Sequence, residues 1–347
     1  MLQISAAVNE MFHLHEVGLE AELSRMPRFG DWLPVIEEAW QRGVQHLTVT
    51  TSGSSGRRKP CTHSFQALDV EVELLATLFR DRRRVIAFTP THHIYGLLFS
   101  AMLPDRLGIT ARPLLQAPAA TGKVQEKDTT LVAGDLLVSF PEGWNWLLKS
   151  RGAFPADVAG VVSTAPCPQD LKQMLMDAHL SRLVEVYGSS ETAGVGVRVW
   201  PAEHFTLMPH WTLATASSTG SAQLVHRSGF CVDVVDDLYF VDETTFAVQG
   251  RKDHAVQVGG VNVSPVLIAQ RLTEHPGVSE ASVRLMRPDE GQRLKCFVVP
   301  TAGSAAEDLR PALERWIATW PIAAERPKRL AFGPELPRNA NGKLQDW

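Results

Sequence analysis

The feature that most constrains this chain is an alternation. From Met1 to about residue 250, short runs of β-branched and aliphatic residues take turns with segments whose apolar residues fall at helical spacing. Gln45–Thr50 reads as a strand entering a Gly/Ser loop, and Phe65–Phe79 as a helix with Asp69, Glu71 and Glu73 set between its apolar positions. Val85–Phe88 is the next strand. Val158–Val162, a helix over Gln169–Ala178 and Leu183–Val186 repeat the pattern. Strands and helices in this order pack as a largely parallel sheet covered by helices, an α/β fold. Strand-like runs at Gln223–Val225 and Leu238–Val241 make the end of this region β-rich. After Gly250-Arg251 the style changes to a helix (Pro265–Leu272), two strands (Ala281–Leu285, Leu294–Val299) and a second helix (Leu309–Trp320). The expected organisation is a large α/β domain of layered sheets and helices over residues 1–251, followed by a small, mobile α+β domain over 252–347.

Charge narrows the function. A formal net charge of -4 and the lack of a long basic run argue against a nucleic-acid partner. Cys61, Cys167, Cys231 and Cys296 are far apart and form no CxxC pair, which argues against a zinc site or a disulfide framework. Glu10, Glu16, Glu20 and Glu22 interrupt the N-terminal apolar residues as no ordinary signal peptide would, and no apolar stretch is long enough to span a bilayer. A cytoplasmic protein without a membrane partner is the expectation.

Four strings carry chemistry. Thr51-Ser52-Gly53-Ser54-Ser55-Gly56-Arg57-Arg58-Lys59 follows a strand directly. Its glycines admit close backbone approach, so that amide N–H groups, hydroxyls and Lys59 could wrap phosphate oxygens. It is not a Walker A loop, because Gly56 is not followed by Lys. Glu185-Val186-Tyr187-Gly188-Ser189-Ser190-Glu191-Thr192 is again a strand running into a turn, with a Tyr able to stack on a purine and a carboxylate able to hold Mg²⁺. Phe246 to Asp253, with Gly259-Gly260 beyond, offers an Arg and a glycine-rich junction. Pro337 to Lys343 is a loop with a Lys near its tip. Each string alone is as readily a plain loop, a buried Tyr or a solvated Lys.

In this order and combination they resemble the adenylate-forming superfamily of acyl- and aryl-CoA synthetases, peptide-synthetase adenylation domains and luciferases. Thr51 to Lys59 is similar to its phosphate loop (T-S-G-S/T-T-G-x-P-K), Tyr187 to Glu191 to its Y-G-x-T-E motif, Gly250 to Asp253 to its hinge and Pro337 to Lys343 to its catalytic-lysine loop. Thr91 to Gly96 resembles the acyl-pocket segment H-x-x-G, and Ser163-Thr164-Ala165-Pro166 the loop bordering adenine. Asp237 falls where the ribose-binding Asp is expected, with Asp236 as a stand-in.

The resemblance implies ATP and Mg²⁺ as cofactors, a small carboxylic acid as substrate and an acyl-AMP intermediate. It casts Lys343, Glu191 and His93 as catalytic residues, with Glu191 also the metal ligand. Thr51, Ser52, Gly53, Ser54, Ser55, Gly56, Lys59, Ser163, Thr164, Ala165, Pro166, Tyr187, Gly188, Ser189, Ser190, Asp237 and Arg251 would bind nucleotide. His93, Tyr95, Gly96 and Ala165 would border the acid, and Lys252 and Asp253 would be the hinge. Val261 to Pro265 resembles aryl-acid ligases, which points to an aromatic, hydroxybenzoate-like acid. The acceptor thiol is the phosphopantetheine of an acyl carrier protein or coenzyme A, and Arg326, Lys328, Arg329 and Arg338 would receive an acidic carrier. Only about 50 residues precede the phosphate loop, so a trimmed N-terminal region is expected. Arg58 and Pro60 stand where the phosphate loop usually has Pro and Gly, and Gln257 where many members have Lys. The rival expectation is a catalytically inactive relative that senses a nucleotide or acyl-adenylate.

Overall fold

In the computed structural model the strands Asp135–Ser139 and Ala159–Val162 are buried at every residue. Only a sheet covered on both faces permits that. The structure describes residues 2–51, 59–113, 130–214, 223–234, 236–251, 255–259, 261–287, 290–291, 293–338 and 347, with Thr51, Pro113 and Arg251 described by their backbone alone. It forms two compact units that divide between Gln249 and Gly250.

In the first unit the strands are β1 (His46–Thr51), β2 (Lys59–Ser64), β3 (Arg84–Ala87), β4 (Thr110–Pro113), β5 (Asp135–Ser139), β6 (Ala159–Val162), β7 (Arg182–Ser189), β8 (Ala193–Val199), β9 (Phe205–Leu207), β10 (Trp211–Ala214), β11 (Gln223–His226), β12 (Cys231–Asp233), β13 (Asp236–Phe240) and β14 (Thr245–Arg251). Nine of them form one sheet in the order β13-β14-β9-β8-β7-β6-β5-β3-β4. Its β4-β3-β5-β6-β7 half is parallel, and β8 and β9 run antiparallel beyond it. Alternation across the parallel strands divides the core. Leu136 and Val138 face a layer with Leu68, Val72, Leu75 and Phe79 from the helix Phe65–Phe79. Leu137 faces the other way, toward Trp144, Leu147, Leu171 and Leu175. β1 and β2 form a separate antiparallel pair, and β10-β11-β12 a three-stranded sheet.

The expected alternation from Met1 does not hold for the first 45 residues and begins only at β1, because the described residues before it pack as helices on a cluster of their own. The described residues before it are helical over Leu2–Phe12, Leu14–Val17, Glu22–Arg25 and Trp32–Gln41, and bury their own cluster around Leu14, Leu23, Trp32 and Ile36.

The second unit carries β15 (Val256–Val258), β16 (Val261–Val263), β17 (Val278–Leu285), β18 (Leu294–Pro300) and β19 (Arg329–Phe332), with helices Pro265–Thr273 and Ala306–Ala318. Ser264 accepts the Leu267 N–H as a helix cap, and Pro265 takes the first turn, where its missing donor costs nothing. β17 and β18 pair antiparallel, while β19, absent from the sequence-based expectation, adds in parallel to β18. Leu272, Leu294, Cys296, Val298, Leu313 and Trp320 fill the core. Among the described residues, no helix is long and apolar enough to cross a membrane.

Candidate active site

Open parallel sheets bind ligands beyond the carboxyl ends of their strands. Three of the singled-out segments leave the sheet there: Thr91 to Gly96 after β3, Ser163 to Pro166 after β6, and Tyr187 to Glu191 at the end of β7. The strand ends are tied to one another. The Tyr95 hydroxyl donates to the Ser139 carbonyl ending β5 (3.2 Å), and Ser163 Oγ donates to the Val186 carbonyl of β7 (2.7 Å). The Cys167 N–H donates to Glu185 Oε1 at 3.4 Å, which anchors the far side of the Ser163 loop. Glu185 is buried but neutralised, with Lys172 Nζ at 2.6 Å and Arg198 Nη2 at 2.7 Å. Removing either cation would leave part of a buried charge uncompensated, so this triad holds loop and strand together. Thr164 stands at φ 76, in the left-handed region, and its hydroxyl is buried with no partner among the described residues. A strained, unsatisfied residue of this kind commonly marks a ligand-facing position.

The turn after Tyr187 is held by its own side chains. Ser189 Oγ accepts the N–H groups of Glu191 and Thr192 at 3.2 Å each, and the Ser189 N–H donates to Thr192 Oγ1 at 2.9 Å. Gly188 is required here, because a Cβ would stand 2.0 Å from the Ala193 carbonyl oxygen where the β7–β8 register shifts. From the other hairpin, Lys59 at the start of β2 reaches Glu191, with Nζ and Oε1 3.4 Å apart and both side chains partly exposed. Thr51 pairs with Lys59 across β1 and β2. The two motifs, more than 130 residues apart in sequence, thus meet at one place.

The Tyr187 ring rests against Phe205 and Phe246, with centroids 5.7 and 5.5 Å away, and its hydroxyl donates to Asp236 Oδ2 at 2.8 Å. Strand alternation puts Asp236, Leu238 and Phe240 on the half-buried side of β13 and leaves Asp237 exposed on the other. Asp236 is therefore the neighbour of Tyr187, one residue from the position expected to bind ribose.

The acyl-pocket string has a different character. His93 is exposed and precedes the short helix Ile94–Leu97, with its ring 4.4 Å from that of His92. Tyr95 and Gly96 are buried. Tyr95 spends its hydroxyl on Ser139 and packs its ring on Phe99, and a Cβ on Gly96 would lie 2.0 Å from the Pro90 carbonyl oxygen. Both residues are accounted for by packing of this segment against the strand ends. Ala165 is half-buried and Pro166 exposed. Ser52, Gly53, Ser54, Ser55, Gly56, Lys252, Asp253 and Lys343 lie outside the described residues, as does the Arg251 side chain.

Three supporting residues escaped the sequence reading. His63 is 5% exposed and pairs Nε2 with the Ser190 carbonyl at 2.7 Å, holding the turn that presents Glu191. Burial pulls its pKa below the ordinary histidine value. Trp211 Nε1 donates to the Gly194 carbonyl at 2.7 Å. Glu71, expected between the apolar positions of its helix, is only 2% exposed; it accepts the Gly194 N–H at 2.9 Å, and its other oxygen has no partner among the described residues. Burial pushes its carboxyl up to about 7. The available signal was its place three residues after Leu68, on the same helix face.

Comparisons with known proteins bear on the family and the fold. Residues 46–238 match the model of the AMP-binding enzyme family, and residues 268–343 that of the AMP-binding enzyme C-terminal domain. The chain is 40% identical over 345 residues to a 4-coumarate–CoA ligase of Halorhodospira halophila, an alignment covering 99% of this chain and 86% of that one. It is 34% identical to a 4-coumarate–CoA ligase of Rhodobacter capsulatus, covering 100% of this chain and 88% of the other. Among solved structures, a double mutant of o-succinylbenzoate CoA synthetase from Bacillus subtilis shares the fold, with a TM-score of 0.66 at 18% identity over 86% of this chain and 67% of that one. A malonyl-CoA ligase gives a TM-score of 0.64 at 20% identity over 84% and 71%.

Proposed function

We propose a reaction on the premise that family membership supplies: the chain belongs to the adenylate-forming AMP-binding enzymes and is an AMP-forming acid–thiol ligase. It activates a carboxylic acid and forms a thioester; we take the acid to be a phenolic cinnamic acid resembling 4-coumarate, and the thiol to be coenzyme A. The observation that carries this reading is the meeting of Lys59 and Glu191 beside Tyr187 at the carboxyl ends of the parallel strands. The choice of acid and thiol leans on relatives named 4-coumarate–CoA ligase at 33 to 40% identity across the whole chain. A carrier protein as acceptor draws no support from them.

In this reading the adenine lies on Tyr187, braced from behind by Phe205 and Phe246, and the ribose hydroxyls bond Asp236. The phosphates lie between the Thr51–Lys59 segment and Glu191. The carboxylate of the acid attacks the α-phosphorus, the bond to the β-phosphate breaks, and pyrophosphate leaves. No covalent work falls to the protein, so positioning and charge supply the rate. Lys343, a compact ammonium, offsets charge on the carboxylate and α-phosphate. A half-buried carboxylate beside phosphate oxygens fits the oxygen donor set of Mg²⁺, and Glu191 is the residue that would hold it. Bound there, Mg²⁺ would neutralise phosphate charge. A turn of the second unit about Lys252-Asp253 then opens the acyl-AMP to the thiol, a common form of gating.

The test is pyrophosphate release with ATP across a panel of aromatic and aliphatic acids, followed by thioester formation with coenzyme A or a holo-carrier protein. The expected result is turnover with 4-coumarate and transfer to coenzyme A. Transfer to the carrier alone would correct the acceptor. No pyrophosphate release with any acid of the panel, alongside intact ATP binding, would leave the inactive sensor as the better reading.

A further inference from the structure

We infer that His13, Glu16 and His46 form a binding site for a divalent transition ion of the zinc class, on the first unit and apart from the residues assigned to nucleotide. The three come from two elements: His13 and Glu16 flank and occupy the short 3₁₀ helix Leu14–Val17, and His46 opens β1. One donor atom from each lies within 4.8 Å of the others. Glu16 Oε1 is the common point, 3.2 Å from His13 Nδ1 and 2.6 Å from His46 Nδ1. Ligand atoms around a tetrahedral zinc stand about 3.3 Å apart, so modest opening of the cluster admits the ion.

The ligands are also held from outside, as ligands in built metal sites are. His13 Nε2 is 2.7 Å from Thr48 Oγ1, which itself bonds Thr62 Oγ1 at 2.8 Å. Donation from Nε2 to Thr48 leaves the Nδ1 lone pair facing the cluster. Glu16 Oε2 accepts the Gln45 N–H at 2.6 Å, which turns Oε1 inward. His13 takes a left-handed backbone conformation (φ 50), unusual for a residue with a side chain. His46 is 44% exposed at its side chain, so a hydrated ion can reach the cluster. Two imidazoles and one carboxylate are a borderline donor set that suits Zn²⁺, with a fourth position left to water. Such a site lies beyond the reach of cysteine spacing, which is why the sequence did not disclose it.

The experiment titrates the full chain with Zn²⁺ against a chromogenic chelator, with Co²⁺ absorption as a second readout. Wild type should take up one tight equivalent. His46→Ala and Glu16→Gln should lose it, and Thr48→Val, which removes an outer support, should bind about 10-fold more weakly. Zinc should raise the melting temperature of wild type but not of His46→Ala. ATP–pyrophosphate exchange should persist in His46→Ala, which shows that the variant folds. The inference is overturned if wild type takes up no saturable zinc, or if the bound equivalent survives in both His46→Ala and Glu16→Gln; a histidine–glutamate hydrogen-bonded cluster would then be the whole content of the site.

Discussion

The carboxyl ends of the parallel strands and the core of the second unit solve opposite problems. In the second unit, leucines, valines and Trp320 fill the interior, and its charged network sits nearer the surface, where Glu290 meets Lys295 and Arg284. Those partners, chiefly the Lys295 hydrogen bond, draw the Glu290 carboxyl down to about 2. Beside the strand ends, around the β7–β8 turn, Glu71, His63 and His210 are buried against the Gly194 N–H, the Ser190 carbonyl and the Gly194 carbonyl, and Glu185 is buried within β7. Burial raises Glu71 to about 7 and lowers His210 to about 4. One region is built for stability. The other carries polar groups at a cost in stability, as sites that position ligands do. In the proposed mechanism the plain unit contributes mainly one loop, and the costly region contributes a rigid platform.

The sharpest way to break that division is Lys343→Ala. Adenylate formation should fall about 100- to 1000-fold with ATP binding nearly intact, because one charge aimed at developing phosphate charge is lost. ATP–pyrophosphate exchange and nucleotide titration measure the two quantities, and activity within about threefold of wild type would remove the second unit from catalysis.

Glu71 tests the cost carried by the platform. Its folded pKa of about 7 lies above the ordinary 4.5, so between those values the folded state keeps a proton that the unfolded state has lost. Stability therefore falls as pH rises from 4.5 to 7, and above 7 the full loss of about 3 kcal/mol applies. Glu71→Gln keeps an acceptor for the Gly194 N–H and should not show this loss. Denaturant unfolding of both proteins from pH 4.5 to 8 measures it, and parallel curves would show that Glu71 does not carry the cost.

A smaller effect is expected at His63. His63→Ala leaves the Ser190 carbonyl without its imidazole, costing about 1–3 kcal/mol, and lets the turn bearing Glu191 relax. Adenylation should slow about 10-fold while 4-coumarate remains the preferred acid. A changed acid preference without loss of rate would move His63 from the nucleotide side of the site to the acyl side.

What the sequence disclosed follows the same division. The helices Phe65–Phe79, Gln169–Asp177, Pro265–Thr273 and Ala306–Ala318 and the strands β1, β3, β6, β7, β11, β13, β17 and β18 were legible because burial on one or two faces writes a period of 2 or 3.6 into each segment. The helices before β1, the helix Pro141–Arg151 and strands such as β5 and β8 were not read. The strings at Lys59, Ser163, Tyr187 and Glu191 were legible because each is local. His63 and Glu71 were not, since their partners Ser190 and Gly194 lie 127 and 123 residues away. The choice between Asp236 and Asp237 turns on which face of β13 meets Tyr187, and two adjacent aspartates leave that register unmarked. The short segment Arg329–Phe332 became a strand only through the edge of β18.

The most direct test of the central claim is a crystal structure with a non-hydrolysable 4-coumaroyl-adenylate analogue. The account predicts the adenine on Tyr187, the ribose hydroxyls on Asp236, and the phosphate-mimicking group beside Glu191 and Lys59. An adenylate seated away from the ends of β6 and β7, or a ribose held by Asp237 with Asp236 turned inward, would contradict it.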